Sequence, residues 1–194
     1  MSGATFSIAG RICYAKDDPP RPGKPWASIR VCIEVPGAPT PFGVLEAHKV
    51  FLSLKYDAED QEKPYFQVVR NRLAPDVHVA IWGSIKVREG KDGQPRLYLD
   101  APWRNVIISA GAVQSINRVE VTGRYHADLA SGFVVKTSTR NPKTKEWKDS
   151  FFPVAYKDKM TKRNGDATIA VGSVYGVMPG SKDDNTWILA NWAM

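Results

Sequence analysis

Phe6-Ser7-Ile8-Ala9-Gly10-Arg11-Ile12-Cys13-Tyr14, near the start of the chain, and Arg118-Val119-Glu120-Val121-Thr122-Gly123-Arg124-Tyr125, past its middle, carry one pattern twice. Apolar residues alternate with small or polar ones, the period of a half-buried strand. A Gly-Arg pair follows the alternating run in both. After the first copy, further strand signals fall at 26–35, 49–56, 77–88, 96–100 and 105–108, with a hairpin loop at 89–94. Helical periodicity is scarce. The best helix candidate is 61–73, where Pro64 suits a first turn and Phe66, Val69, Arg70 and Leu73 recur at helical spacing.

The second copy is followed by the same order. Residues 133–139 supply its second strand. Phe151–Asp158 resembles Phe51–Asp57, which pairs Tyr156 with Tyr56. Residues 167–175 resemble 77–85, with Gly172-Ser173 at the place of Gly83-Ser84. After a polar loop at 179–185, 187–192 ends the chain as 98–103 ends the first half. Segments matching in one order favour an internal duplication over a single large sandwich. The small, polar stretch 109–115 marks the boundary. The expected division is residues 1–110, a linker at 111–116, and 117–194. Each half has five main strands and at most one short helix, between the third and fourth. The fold class expected is therefore all-β, with two tandem five-stranded Greek-key barrels of the OB type. Gly10, Gly83, Gly123 and Gly172 lie inside strands, where glycine permits the bend that a small barrel needs.

The 194 residues are 43% hydrophobic and 24% charged, a globular composition. No apolar run approaches the ~18 residues of a membrane span. The start of the chain shows no basic segment leading an apolar one, so no secretory signal is read and a cytoplasmic location is expected. Cys13 and Cys32 have no zinc-like spacing; buried reduced thiols are favoured over a disulfide, although their candidate strands are neighbours. His48, His78 and His126 lie far apart, which suits structural or surface roles. No metal and no cofactor is expected. The net charge of +7 is compatible with a polyanion. It divides into 15 basic against 12 acidic residues over 1–113 and 12 against 8 over 118–194.

The second half resembles the OB domain of the bacterial-type single-stranded DNA-binding proteins. The resemblance rests on 117–124, 138–147, 151–159 and 165–172 taken in order. It extends more loosely to the first half. It implies a protein that coats single-stranded DNA, with Tyr156 and its counterpart Tyr56 as aromatics ending third strands. Two places where the family stacks bases fall near Thr139-Arg140 and Pro179, with no aromatic at either. The family's acidic C-terminal tail has no counterpart, so recruitment of replication or recombination proteins by that route is not expected. These departures suggest a divergent version, encoded by a phage or mobile element. Four OB folds per assembly in the family imply a homodimer here.

Sequence-independent strand binding needs a basic groove and aromatic faces for unstacked bases. In the second half the candidates are Arg124, Tyr125, Lys136, Arg140, Lys143, Lys145, Trp147, Lys148, Tyr156, Lys157 and Tyr175. In the first they are Arg11, Trp26, Arg30, Lys55, Tyr56, Lys86 and Arg88. Residues 140–148 read as a flexible hairpin clamp. Trp147, between Glu146 and Lys148, is either a stacking platform or a hairpin anchor, and Trp26 is equally balanced. Trp82, Trp103, Trp187 and Trp192 sit in or beside apolar strands and are expected in the core. The function expected is binding and protection of single-stranded DNA in replication, recombination or repair, with no membrane association. The alternative is an OB module for RNA, or one in which a barrel serves oligomerisation or a protein partner. The Pro-rich 35–40 and acidic 57–62 segments make the first half that candidate. No catalytic carboxylate pair, Ser/His/Asp order, P-loop or metal cluster suggests an enzyme.

Overall fold

The computed structural model describes residues 3–19, 26–89, 93, 95–175 and 186–194. In the first half, β1 (Gly3–Asp18) and β2 (Trp26–Val35) form a hairpin. A small ribbon of β3 (Ala38–Thr40) and β4 (Gly43–Leu45) precedes β5 (His48–Asp57). A 3₁₀ turn at Ala58–Glu62 and the helix α1 (Pro64–Arg72) lead to β6 (His78–Glu89), β7 (Pro95–Pro102) and β8 (Val106–Ser109). The second half holds β9 (Ile116–Leu129), β10 (Gly132–Arg140), β11 (Trp147–Ala155), β12 (Ala167–Tyr175) and β13 (Trp187–Ala193).

Two closed barrels result. In the first, β1 pairs with both β2 and β6, and β5 meets β7 in parallel. In the second, β9 pairs with both β10 and β12, and β11 meets β13 in parallel. A β1–β9 ladder joins them into one eleven-stranded sheet. Its register is self-complementary. Phe6 lies opposite Val119, and these two residues lie opposite Gly83 and Gly172 in their own barrels. The halves are thus related by a local two-fold through Phe6 and Val119. The contacts of β5 with β12 and of β11 with β6 repeat it.

Period-two alternation sends one face of each strand inward. Ile8, Ile12, Ile33 and Leu54 fill the first core, and Val119, Val121, Phe133 and Val154 the second. A change such as Phe133→Ala would cost roughly 3–5 kcal/mol, because close-packed neighbours do not collapse into the space. The in-strand glycines are required by close approach. A Cβ on Gly10 or Gly123 would overlap the carbonyl of Glu34 or Lys136; on Gly83 or Gly172, that of Asp100 or Leu189. Matching β-bulges follow. The register skips Cys13 between Ile12 and Tyr14, and His126 between Tyr125 and Ala127.

Helix α1 has Pro64 at its first position and buries Phe66 and Val69. Phe66 packs between Tyr56 and Trp103, at centroid distances of 4.7 and 5.1 Å. Among the described residues the second barrel has no helix; Tyr156 and Met160, from the loop after β11, pack against the core instead. The register also corrects one alignment. Ser53 pairs with Asp100 and Ala155 with Leu189, so Leu54, not Tyr56, is the counterpart of Tyr156.

Candidate nucleic-acid interface

Strand parity builds one aromatic and basic surface on the second barrel. Because Phe133, Val135 and Phe152 point inward, Lys136, Ser138 and Arg140 of β10 and Trp147, Asp149 and Phe151 of β11 share the outer face. Cross-strand pairing sets Lys136 opposite Phe151 and Arg140 opposite Trp147. Phe151 is 40% exposed and Trp147 69%. The Lys136 ammonium lies 6.0 Å from the Phe151 ring centroid, and the His126 ring 4.8 Å. Beside them a groove of about 610 Å³ runs between Arg124, Lys136, Ser138 and Asn164.

The hairpin between these strands closes in a hydrogen-bonded turn. Asn141 N–H donates to the Glu146 carbonyl at 2.8 Å, and the Asn141 side-chain oxygen accepts from Lys143 N–H at 2.9 Å. Lys145 takes a left-handed φ of 62°. Residues 140–148, expected as a flexible hairpin clamp, form a hydrogen-bonded hairpin turn whose Lys143, Lys145 and Lys148 are exposed.

Pairing distinguishes the two barrels. Among the described residues Arg124, Arg140, Lys143, Lys145 and Lys148 have no carboxylate partner. Arg124 and Arg140 donate to the carbonyls of Gly165 and Lys145, at 2.6 and 3.1 Å. Lys136 does pair with Asp149, at 2.7 Å, and this bond draws the Asp149 carboxyl below its usual range. In the first barrel Arg11 is held by Glu34 and Asp76, at 2.5 and 3.1 Å, and Arg30 by Asp18 at 2.6 Å. Arg88 binds Asp100, which also lies 3.7 Å from Lys55. Burial pushes the Lys55 ammonium down against the pull of Asp100. Four of the five cations expected there to face a polyanion already face acids; Lys86, exposed on β6, has no carboxylate partner among the described residues.

Two expected stacking rings belong to the core. Tyr56 is 2% exposed and Tyr125 4%, because each has the parity of its strand's inward residues. Tyr56 donates to Asp17 and Tyr125 to Asp128, both at 2.5 Å. Burial pushes Tyr56 up to about 12, and the Asp128 bond does the same for Tyr125. Tyr156 is half-buried against Phe133, at 5.9 Å. Tyr175 lies 5.0 Å from His48, where β12 meets β5, away from the β10–β11 face. Lys157 is exposed beyond β11. The Trp26 and Trp187 side chains and loops 20–25 and 176–185 lie outside the described residues, as does most of loop 89–94.

Other rings sit where sequence reasoning did not place them. Trp103 is buried as expected, but Trp82 is 41% exposed and Trp192 49%. On β6 and β7, Trp82, Lys86, Arg88 and Tyr98 share the outer face, with Arg88 over the Tyr98 ring at 4.9 Å. Strand parity alone identifies Phe151 and Tyr98 as outward rings. The acidic 57–62 segment turns one carboxylate inward: Asp60 bonds Lys63 at 2.6 Å and Arg104 at 3.1 Å. Among the described residues no cluster of three His, Cys, Asp or Glu could hold a metal, and no helix is long and apolar enough to cross a membrane.

No protein-family model matches the chain, and no curated protein does. Solved structures do. The wild-type single-stranded DNA binding protein from Thermus aquaticus aligns with a TM-score of 0.62 at 11% identity, covering 100% of this chain and 93% of that one. A deletion variant of it aligns with a TM-score of 0.59 at 14% identity, covering 100% and 94%. The fold is the tandem OB fold of that protein. The likeness spans both barrels, so the architecture is shared from end to end at low sequence identity.

Proposed function

We propose that this chain binds single-stranded DNA without sequence choice, and protects it during replication, recombination or repair. It does no covalent chemistry. The observation that carries this reading is the outer face of β10 and β11, where Trp147 and Phe151 stand exposed beside Lys136, which pairs with Asp149, and near Arg140, Lys143, Lys145 and Lys148, which have no carboxylate partner among the described residues. Each base stacked on a ring contributes roughly 1–3 kcal/mol, and each neutralised phosphate makes binding fall with salt. Duplex bases offer no free face for such rings. The second barrel is the principal site; the first, with most of its candidate cations paired, contributes Trp82, Lys86 and Tyr98.

A homodimer is part of the proposal. On the outer face of the joined sheet, one apolar row across β8, β6, β1 and β9 has Ile107 and Ile116 at its ends, the half-buried Ala80 and the buried Ala9 between them. Ile107 is 59% exposed and Ile116 43%, and a second copy of the chain is the occupant we assign. Light scattering of the wild type and of Ile107→Glu tests this; equal monomer masses reject it.

Strand binding is tested by titrating labelled oligo-dT, oligo-U and matching duplex at two salt concentrations. Tight oligo-dT binding with a steep salt slope and weak duplex binding is expected. Preference for oligo-U would turn the reading to RNA, and absence of binding to either single strand would sink it.

A further inference from the structure

The β-bulge in β9 isolates one imidazole. Tyr125 pairs with Val135 and Ala127 with Val134, so His126 has no partner across the ladder. Its ring rests against Phe151 at 4.8 Å, tilted by 53°. Among the described residues it makes no hydrogen bond and no ion pair. The charged groups around it are accounted for. On β9, Arg124 is bonded to the Gly165 carbonyl and Asp128 accepts from Tyr125. On β10 and β11, Lys136 and Asp149 bind one another. No carboxylate holds the imidazole, and it adjoins the exposed Phe151 ring, beside the groove that Arg124 and Lys136 line. The equivalent bulge of the first barrel carries Cys13, which cannot become a cation.

We propose that His126 is a protonatable phosphate contact of the strand-binding face, so that affinity for single strands rises as pH falls. The proposal rests on the strand-binding reading above. A base stacked on Phe151 brings its phosphate within reach of the neighbouring imidazole. As imidazolium, His126 adds one cation to the track; as neutral imidazole it adds none. Histidine is the side-chain type whose charge changes between about pH 5 and 8, the range the test spans. One phosphate contact steepens the salt dependence of single-strand binding by about 0.7. That corresponds to roughly fivefold in affinity at ~0.1 M salt and less than about twofold at ~0.5 M.

The test is anisotropy titration of labelled oligo-dT at about pH 5.5 and 8, at low and high salt, with wild type, His126→Gln and His126→Lys. Wild type should bind roughly fivefold tighter at the lower pH in ~0.1 M salt, with the difference fading as salt rises. His126→Gln should keep the high-pH affinity at both pH values, and His126→Lys the low-pH affinity at both. His48 and His78 remain in both variants, so their titration is held constant. A pH dependence that survives in His126→Gln, or a salt slope unaltered by pH, overturns the proposal while leaving strand binding intact. Absence of oligo-dT binding at either pH rejects the strand-binding reading and this proposal together.

Discussion

Phe151 and Phe152 are consecutive rings on opposite faces of one strand, and they separate binding from folding. Phe151 is 40% exposed on the outer face; Phe152 is 3% exposed in the core. Phe151→Ala removes a stacking platform worth roughly 1–3 kcal/mol, or about 5- to 150-fold in oligo-dT affinity. It should shift stability by less than about 1 kcal/mol, because the core keeps its packing. Phe152→Ala should do the reverse. It opens a cavity costing roughly 3–5 kcal/mol, while any folded fraction binds with near-normal affinity. Oligo-dT titration at fixed salt reads the first quantity, and urea denaturation the second. If Phe151→Ala binds as wild type does, β11 does not present the stacking surface and the site placement is wrong. If Phe152→Ala leaves stability untouched, the inward parity of β11 is wrong, and the site built on it fails as well.

Other outcomes follow from the same geometry. Asp149→Asn releases Lys136 from its carboxylate, so oligo-dT affinity should rise and the salt slope steepen by about 0.7; an unchanged slope in titrations over several salt concentrations would count against Lys136 as a phosphate contact. Gly172→Ala forces a Cβ into the Leu189 carbonyl, and thermal melts should show a loss of about 1–3 kcal/mol or more, with a similar loss for Gly83→Ala against Asp100. Burial works to raise the Asp60 carboxyl, but its bonds to Lys63 and to the Asp57 N–H outweigh it and hold the group at about 2. A carboxyl lowered on folding stabilises the protein above its unfolded value, and that contribution is lost as pH falls through the folded value. Asp60→Asn should therefore cost roughly 1–2 kcal/mol near neutral pH, after allowance for solvent screening, and flatten the acid limb between about pH 4 and 2 in pH-dependent melts.

The parts of the fold legible in sequence were those written in local pattern. Alternation located the strands, Pro64 marked a helix start, and the repeated glycines pointed to the close approaches that bend both barrels. Parity around Gly123 sends Tyr125 inward with Val119 and Val121, and parity along 50–56 does the same for Tyr56. Bulges were harder to read. One unpaired residue reverses the facing of what surrounds it, and nothing local announces the bulge at His126 or the register break between β12 and β13 near the exposed Trp192. The neutralised cations of the first barrel were out of reach for a different reason. Arg11 meets Asp76 only because β1 and β6 pair, far apart in the chain.

The β1–β9 ladder has a consequence for how the two halves can diverge. Two barrels meeting about a two-fold as separate copies must carry every residue twice, and they part on dilution. Joined in one chain, each sees the other at an effective concentration near millimolar, which no dilution lowers. Each is also free to change alone. Glu34 stands where its twin has Lys136, and Cys13 where its twin has His126. A substitution that would spoil both grooves of a symmetric pair spoils only one here, so each barrel is free to take on a surface chemistry that the other does not share.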